Sequence, residues 1–288
     1  MHKALLTGVT GFIGSHLAEK LVNEHWELHA VVRESSNLDI LPGWIRESVI
    51  FHVHSKEHDL PEIVEVAKPE VVFHLASLFL SQHRYQDIDA LMESNVTFGV
   101  KLLEAMRQHG VHNFVHAGTA WQHYQNASYS PVNLYAASKQ AFEDVLRYYE
   151  ETVGIHAVVL KLFDTYGPGD RRGKLLALLE QIAETGETLP MSPGEQKIDY
   201  VHVDDVSEAF FLAANYLLEG HFELCGDYVV SSGHAISLRE LVSRYEKIIG
   251  KRLSIAWGER AYREREVMVP WNKGRILPGW ERKHKELM

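Results

Sequence analysis

Tyr135 and Lys139 stand four positions apart in LYAASKQAFEDV, where the periodicity predicts a helix from about Ala136 to Val153. An i, i+4 spacing puts a phenol and an ammonium on one helical face. A cation beside a phenol lowers its pKa, so the pair is suited to exchanging a proton with an alcohol or carbonyl oxygen. Thr119, at the end of the apolar run NFVHAG, adds a hydroxyl between this pair and a second motif upstream. Tyr-x-x-x-Lys alone is common on surface helices; the combination is what carries information.

The upstream motif is Thr7-Gly8-Val9-Thr10-Gly11-Phe12-Ile13-Gly14, directly after the apolar run KALLT and opening an amphipathic segment. That is the context a glycine-rich dinucleotide loop requires. Gly8 allows the tight turn, Gly11 lets the backbone approach a pyrophosphate, and Gly14 lets helix and strand pack closely, with helix amides facing the phosphates. Cofactor contacts are therefore expected from Gly8, Thr10, Gly11, Phe12, Ile13 and Gly14. At the end of the second strand, where an NAD site usually places an acid on the ribose, the chain reads Val31-Val32-Arg33-Glu34-Ser35-Ser36. A guanidinium flanked by Ser35 and Ser36 suits a 2′-phosphate, which favours NADP(H). NAD(H) stays possible, with Glu34 taking the ribose.

The elements that must position these residues follow from the rhythm of the chain. KALLT, LHAVV, SVIFHV, EVVFHLA, NFVHAG and HAVVLKLF are strand candidates. Helices are predicted around Ser15 to Glu24, Leu60 to Ala67, Ala90 to His109 and Ala136 to Val153. This alternation predicts an α/β fold, a doubly wound, Rossmann-like parallel sheet. After Phe163 the rhythm breaks into YGPGD, a helix near Lys174 to Thr185, the loop LPMSPGEQK, and helices near Val206 to Leu218 and Ser237 to Ile249. Residues 1–163 are read as a dinucleotide-binding domain and 164–288 mainly as a smaller substrate-binding lobe, with GDYVVSSG at 226–233 a candidate strand returning to the first sheet. The pentapeptide ILPGW occurs at 40–44 and again at 276–280, too short to make a structural repeat.

Composition narrows the partners. The chain has 288 residues, 29 Lys plus Arg against 39 Asp plus Glu, and a formal charge of -10, which advertises no nucleic-acid or anionic-membrane surface. The longest apolar run, Ala209 to Ala214, falls far short of a bilayer span, and the first residues already read as strand and turn rather than an export signal. A single cysteine, Cys225, excludes an intramolecular disulfide framework. A soluble, cytoplasmic protein is expected.

With these motifs in place, the chain resembles the extended short-chain dehydrogenase/reductases that modify nucleotide sugars, the NAD-dependent epimerase/dehydratase family. The likeness covers nearly the whole chain: TGVTGFIG, VVFHLAS, Asn95-Val96, Thr119, Tyr135 with Lys139, YGPGD, YVHVDDV and YREREVM. The resemblance implies that Thr119 hydrogen-bonds the reacting oxygen, Tyr135 exchanges its proton, and Lys139 holds the nicotinamide ribose while tuning Tyr135. It adds Leu75, Ala76, Ser77 and Asn95 to the cofactor site and puts Arg263 on a substrate diphosphate. It also implies a nucleotide-diphosphate sugar substrate and a homodimer, sealed by the helices starting near Ala90 and Ala136. Phe142, Val145, Leu146 and Tyr149 offer an apolar stripe that fits either that seam or an ordinary core-facing surface.

Departures narrow the reaction. Family dehydratases follow the catalytic Thr with Asp-Glu; Thr119 is followed by Ala120 and Trp121, neither of which moves a proton. Family epimerases recycle a tightly held NAD, whereas Arg33 suggests consumed NADPH. The pattern is similar to nucleotide-sugar 4-ketoreductases of the CDP-abequose/CDP-paratose synthase type, giving reduction of a 4-keto-6-deoxy sugar as the expected reaction. A 4-epimerase and a non-catalytic NADP sensor are the alternatives. Asp164 stands where many members carry an Asn on the diphosphate, and an acid there would repel it unless turned away. Ile198 stands where some carry an Arg, a place Lys197 could fill by a one-residue shift. Trp121 could flank the sugar, and the loop from Ser77 to Gln86 is expected to set specificity.

Of the 18 histidines, His52, His54 and His58 could suggest a metal, but they fall at a strand end and loop with no further ligand implied, and no metal is expected. His74 and His116, on apolar strands, are expected to be hydrogen-bonded core residues; His83 and His123 are weaker ligand candidates.

Overall fold

The computed structural model describes residues 1–55 and 59–285, so His58 lies outside the described residues. KALLT forms β1 (Lys3–Thr7), buried from Ala4 onward because it runs through the middle of a sheet covered on both faces. The other strands of that sheet are β2 (Glu27–Arg33), β3 (Val49–His54), β4 (Val71–His74), β5 (Asn113–Thr119), β6 (His156–Leu162) and β7 (Gly226–Val230). Their order is β7-β6-β5-β4-β1-β2-β3, every pair parallel. The chain reverses its direction of travel across the sheet between β1 and β4, which opens the crevice where doubly wound folds bind ligands. The fold is Rossmann-like, and the late strand Gly226–Val230 pairs with β6 at the sheet edge.

Two cores sandwich the sheet. On one face lie α1 (Phe12–Asn23) and the late helix α6 (Val203–Leu218), burying Leu17, Leu21, Phe210 and Leu217 against Phe73, Val115 and Leu160. On the other lie α2 (Leu60–Ala67), α3 (Phe98–Gln108) and α4 (Leu134–Val153), burying Ile63, Leu103, Phe142 and Leu146 against Val72, Phe114 and Val159. Each such side chain contributes about 1.5–3 kcal/mol. Phe142, Leu146 and Tyr149 are thus buried within the chain's own core and Val145 packs beside them, so the apolar stripe of α4 is a core-facing surface.

The helix expected from Ala90 to His109 is present, running from Ile88 to Gln108 with a π-helical stretch at Glu93–Thr97 that carries Asn95. His74 and His116 are fully buried and stacked at 5.2 Å; His74 is hydrogen-bonded through Nδ1 to Thr7 as expected, whereas its Nε2 and both nitrogens of His116, contrary to expectation, have no partner in hydrogen-bonding geometry among the described residues. Phe114 and Phe142 surround them, and burial pushes His74 down to about 3 and His116 well below its ordinary value, so both rings are held neutral.

Beyond β6 the chain builds a rim of small ribbons: Asp164–Tyr166 with Tyr200–His202, Lys197–Ile198 with Ile236–Ser237, and Leu189–Met191 with Ile255–Trp257. Helices α5 (Leu175–Thr185) and α7 (Leu238–Ile249) close a separate small core of Leu179, Ile182, Val242 and Tyr245. The two ILPGW segments diverge. Leu41 and Leu277 are both buried, yet Trp44 is 43% exposed and Trp280 6%, with Trp280 Nε1 donating to the Asp205 carbonyl. No helix among the described residues is long and apolar enough to cross a membrane.

Candidate active site

The glycine-rich loop turns at Gly8, whose φ is +83° and whose missing Cβ would sit 2.7 Å from the amide nitrogen of Ala76. The segment leaving β4 is laid against it, since Thr7 Oγ1 accepts from the Ala76 amide at 3.2 Å and also contacts His74 Nδ1 at 2.8 Å. Leu75, Ala76 and the exposed Ser77 therefore border the loop. At Gly14 a Cβ would stand 2.0 Å from the Gly8 carbonyl oxygen, so helix α1 can start here only without a side chain. Gly11 caps α1 without a side-chain hydrogen bond, and its own Cβ position meets only the Gly8 oxygen, at 3.1 Å. An uncapped helix N-terminus behind a glycine turn fits a dinucleotide pyrophosphate. Thr10, Phe12 and Ile13 are half-buried around it, and Arg172, from the loop after YGPGD, stacks on the Phe12 ring at 4.2 Å.

At the end of β2, Arg33 is exposed and no hydrogen bond or ion pair among the described residues engages its guanidinium. Ser36 Oγ accepts from the Arg33 amide at 3.0 Å while the Ser36 amide donates to the Arg33 carbonyl at 2.9 Å. This turn keeps the Ser36 hydroxyl beside Arg33 with its own proton still to donate. Ser35 and Glu34 are exposed in the same turn.

Thr119 ends β5 and begins a 3₁₀ turn, its Oγ1 accepting from the Trp121 amide at 3.3 Å. Tyr135 lies in the first turn of α4 because Asn133 caps that helix, accepting from the Ala136 amide at 3.0 Å. Lys139 follows one turn later, 1% exposed, and Glu143 one turn after that. Gln122 joins these elements. Its Oε1 accepts from the Thr119 amide and from Lys161 Nζ, both at 3.1 Å. Its Nε2 donates to Glu143 Oε2 and Gln140 Oε1, both at 2.8 Å. Lys161 on β6 also pairs with Glu143. A single amide thus fixes the end of β5 to α4 and β6.

The electrostatics depart from the expectation that Lys139 would lower the Tyr135 pKa. Burial pushes Tyr135 up to about 12, opposed by its hydrogen bond with Ser77 and reinforced by Glu143. Burial also pulls Lys139 down to about 8, with Glu143 holding it up and Lys161 pressing it down. The phenol is held protonated, as a donor. Burial raises the Glu143 carboxyl against the pull of Lys161.

The loop after Ser77 carries a residue that sequence reasoning did not single out. Phe79 stands edge-on to Tyr135 at 5.0 Å and tilts on Trp121 at 5.6 Å. Two amides hold it there. Asn95 accepts from the Leu78 amide and donates to its carbonyl and to Ser138 Oγ, while Asn133 donates to the carbonyls of Leu80 and Ser81. Asn95 thereby acts on the loop, from the π turn that turns it inward.

Phe79 and Trp121 open onto a cavity of ≈ 630 Å³ between the sheet and the rim, lined also by His123, Asp164, Lys197 and Arg263. The expected repulsion at Asp164 is removed by Lys174, whose Nζ lies 3.0 Å from its carboxylate. Arg172, Lys174, Lys197, Arg260, Arg263 and Arg265 give the lining a cationic majority over Asp164, Asp199 and Glu266, which suits a polyanion. His123 stacks on Trp271 at 3.7 Å, bringing the C-terminal segment over the cavity mouth. His83 is exposed on the loop, and His52 is hydrogen-bonded to His29 while His54 packs on Phe98.

A glycine loop after β1, Thr119 next to the cavity-lining Ala120 and Trp121, and Tyr135 against the cavity-lining Phe79 with Lys139 one turn on match a known pattern. The model of the NAD dependent epimerase/dehydratase family matches residues 4–225. This chain belongs to that family. The protein is an enzyme of its extended short-chain dehydrogenase/reductase type. Among curated members, the CDP-abequose synthase of Yersinia pseudotuberculosis is 27% identical over 277 residues, covering 96% of this chain and 94% of its own. A putative UDP-glucose 4-epimerase of Methanocaldococcus jannaschii is 24% identical, covering 91% and 87%. Among solved structures of the family's fold, the Thermotoga maritima UDP-glucose 4-epimerase with UDP-glucose superposes with a TM-score of 0.83 over 97% of this chain and 93% of its own, at 24% identity. The Thermus thermophilus UDP-glucose 4-epimerase with NAD gives 0.75 over 93% and 90%, at 27% identity.

Proposed function

We propose that this enzyme reduces the 4-keto group of a nucleotide-linked 4-keto-6-deoxy sugar with NADPH. The observation that carries the reading is Arg33, unpaired among the described residues at the end of β2 with Ser36 beside it, where a ribose-binding acid would be expected for NAD. When bound, the reduced nicotinamide supplies the hydride to the carbonyl carbon. Tyr135 donates its proton to the carbonyl oxygen, and Thr119 hydrogen-bonds that oxygen as charge develops on it. Lys139 holds the nicotinamide ribose and places a positive charge behind Tyr135. Ala120 and Trp121 move no proton, which speaks against dehydration. Phe79 and Trp121 form an aromatic wall beside Tyr135 that suits a 6-methyl group, and the cationic lining, Arg263 and Lys197 included, suits the diphosphate. The CDP-abequose synthase likeness supports the same class.

The test is oxidation of NADPH and NADH, followed by absorbance, against CDP-, dTDP-, GDP- and UDP-linked 4-keto-6-deoxy sugars. Stoichiometric NADPH loss with one of them is expected. Arg33→Ala should weaken NADPH far more than NADH; equal losses would remove the 2′-phosphate reading. The second reading, a UDP-sugar 4-epimerase, is favoured by the epimerase relatives. It predicts NAD released on denaturation and interconversion of an unreduced UDP-sugar with no net oxidation.

The half-buried Tyr135 and the buried Lys139 give a pH prediction. Reduction needs Tyr135 protonated and Lys139 charged, and Glu143 raises the pKa of both. Removing its charge lowers both, so Glu143→Gln is expected to move the alkaline limb of kcat, near pH 8 from Lys139, to lower pH. It also removes the buried carboxylate partner of Lys161, which keeps Asp227 at 3.6 Å and Gln122 Oε1 at 3.1 Å, so a loss of about 1–3 kcal/mol is expected in a urea melt. A destabilised variant with an unmoved limb would make Glu143 purely structural.

A further inference from the structure

In a separate cleft beside α1, the carboxylate of Asp204 at the start of α6 pairs with three imidazoles and with no lysine or arginine among the described residues. His16 Nδ1 and His202 Nδ1 each lie 3.5 Å from it, and His284 Nε2 lies 3.9 Å away. The partners of each ring fix which nitrogen carries its proton. His16 Nε2 lies 3.0 Å from the Pro168 carbonyl, which can only accept, so in the neutral ring Nδ1 is the lone-pair nitrogen. His284 Nδ1 lies 3.0 Å from the Asp205 carboxylate, so its Nε2 is the lone-pair nitrogen. His202 Nδ1 accepts from the Asp204 amide at 3.2 Å. The neutral rings of His16 and His284 turn lone pairs toward the Asp204 carboxylate with no hydrogen-bond donor between them among the described residues, an arrangement that a cation shared among them would satisfy.

We propose that His202, Asp204 and His284, flanked by His16, bind a divalent transition cation of the zinc, cobalt or nickel class. Ligand atoms of the first three lie within 4.8 Å of one another, and the His202 and His284 rings, stacked at 4.0 Å, would turn from that stack to aim their in-plane lone pairs at one centre. Imidazole and carboxylate donors select this class over magnesium or calcium. Asp205 supplies the orienting shell: besides contacting His284 Nδ1, it accepts from the backbone amides of Lys283 at 3.1 Å and of His284 at 3.0 Å. A cleft of ≈ 300 Å³ gives access, lined by His16, Asp204, His284 and Ser207, whose buried hydroxyl has no partner among the described residues. The bound cation would pin the C-terminal segment to the first turns of α1 and α6. His202 and Asp204 are two residues apart, but His284 and His16 lie far from them in sequence, so no spacing motif announced the set, and this site is distinct from the His52 and His54 pair.

The tag-free full chain, stripped with a chelator, is titrated with Zn²⁺ by calorimetry and with Co²⁺ by visible absorption, with Mg²⁺ as control. One saturable Zn²⁺ site, a Co²⁺ ligand-field band and a raised unfolding midpoint are expected, with no response to Mg²⁺. His284→Ala and Asp204→Asn should each weaken Zn²⁺ by at least about 10-fold, with the unfolding transition of the metal-free protein retained. Absence of saturable Zn²⁺ binding would mean that protons alone occupy the cluster and would overturn the proposal. So would binding that survives both substitutions and is lost in Cys225→Ser.

Discussion

Tyr135→Phe is expected to lower kcat by a factor of about 10³, within the range for loss of a positioned proton donor, while leaving cofactor affinity within about twofold. The side chain fits the isosteric change: the ring is held edge-on by Phe79, and the hydroxyl's protein partner is the exposed Ser77. Folding should therefore survive and the loss should fall on the chemical step. Single-turnover oxidation of bound NADPH separates that step from binding. Unchanged single-turnover rates would remove Tyr135 as the donor and leave Thr119 or solvent to supply the proton.

Gly14→Ala is expected to have the largest effect on the cofactor half. The new methyl would stand 2.0 Å from the Gly8 oxygen, a backbone atom that can move only if the whole loop moves. A loss of about 3 kcal/mol, the upper range for overpacking, should appear in urea melts, together with loss of NADPH binding by fluorescence titration. Gly11→Ala is the informative contrast. Its methyl meets only the Gly8 oxygen, at 3.1 Å, so it should spare stability and still weaken binding if the loop faces the pyrophosphate. Normal binding by both variants would mean that the dinucleotide lies elsewhere.

What was legible in the sequence was what lies within one element or one turn. The strand runs, the Gly8 turn and the Tyr135 and Lys139 spacing are local, and their periodicities state them directly. What was hidden depends on which elements the sheet order brings together. Gln122, Glu143 and Lys161 come from a turn, a helix and a strand, and nothing in their spacing announces that one amide joins them. Phe79 was hidden for the same reason, since Asn95 and Asn133 clamp its loop from two helical segments. Asp164 reads as a repulsive charge in the sequence because Lys174, which neutralises it, reaches it across a loop. The helical spacing of Tyr135 and Lys139 states a nearby cation but neither the desolvation of the phenol nor Glu143, which push the Tyr135 pKa up.

The rim ribbons have a bearing on how such an enzyme changes its diet. Each is a pair of two- or three-residue strands closed on itself, none hydrogen-bonded as a strand to the large sheet that carries Thr119. Substitutions there can reshape what is held without disturbing the machinery that reacts. A lineage built this way can drift from one sugar to another by small steps, each leaving a working catalyst, and a laboratory library confined to the ribbons should inherit the same tolerance.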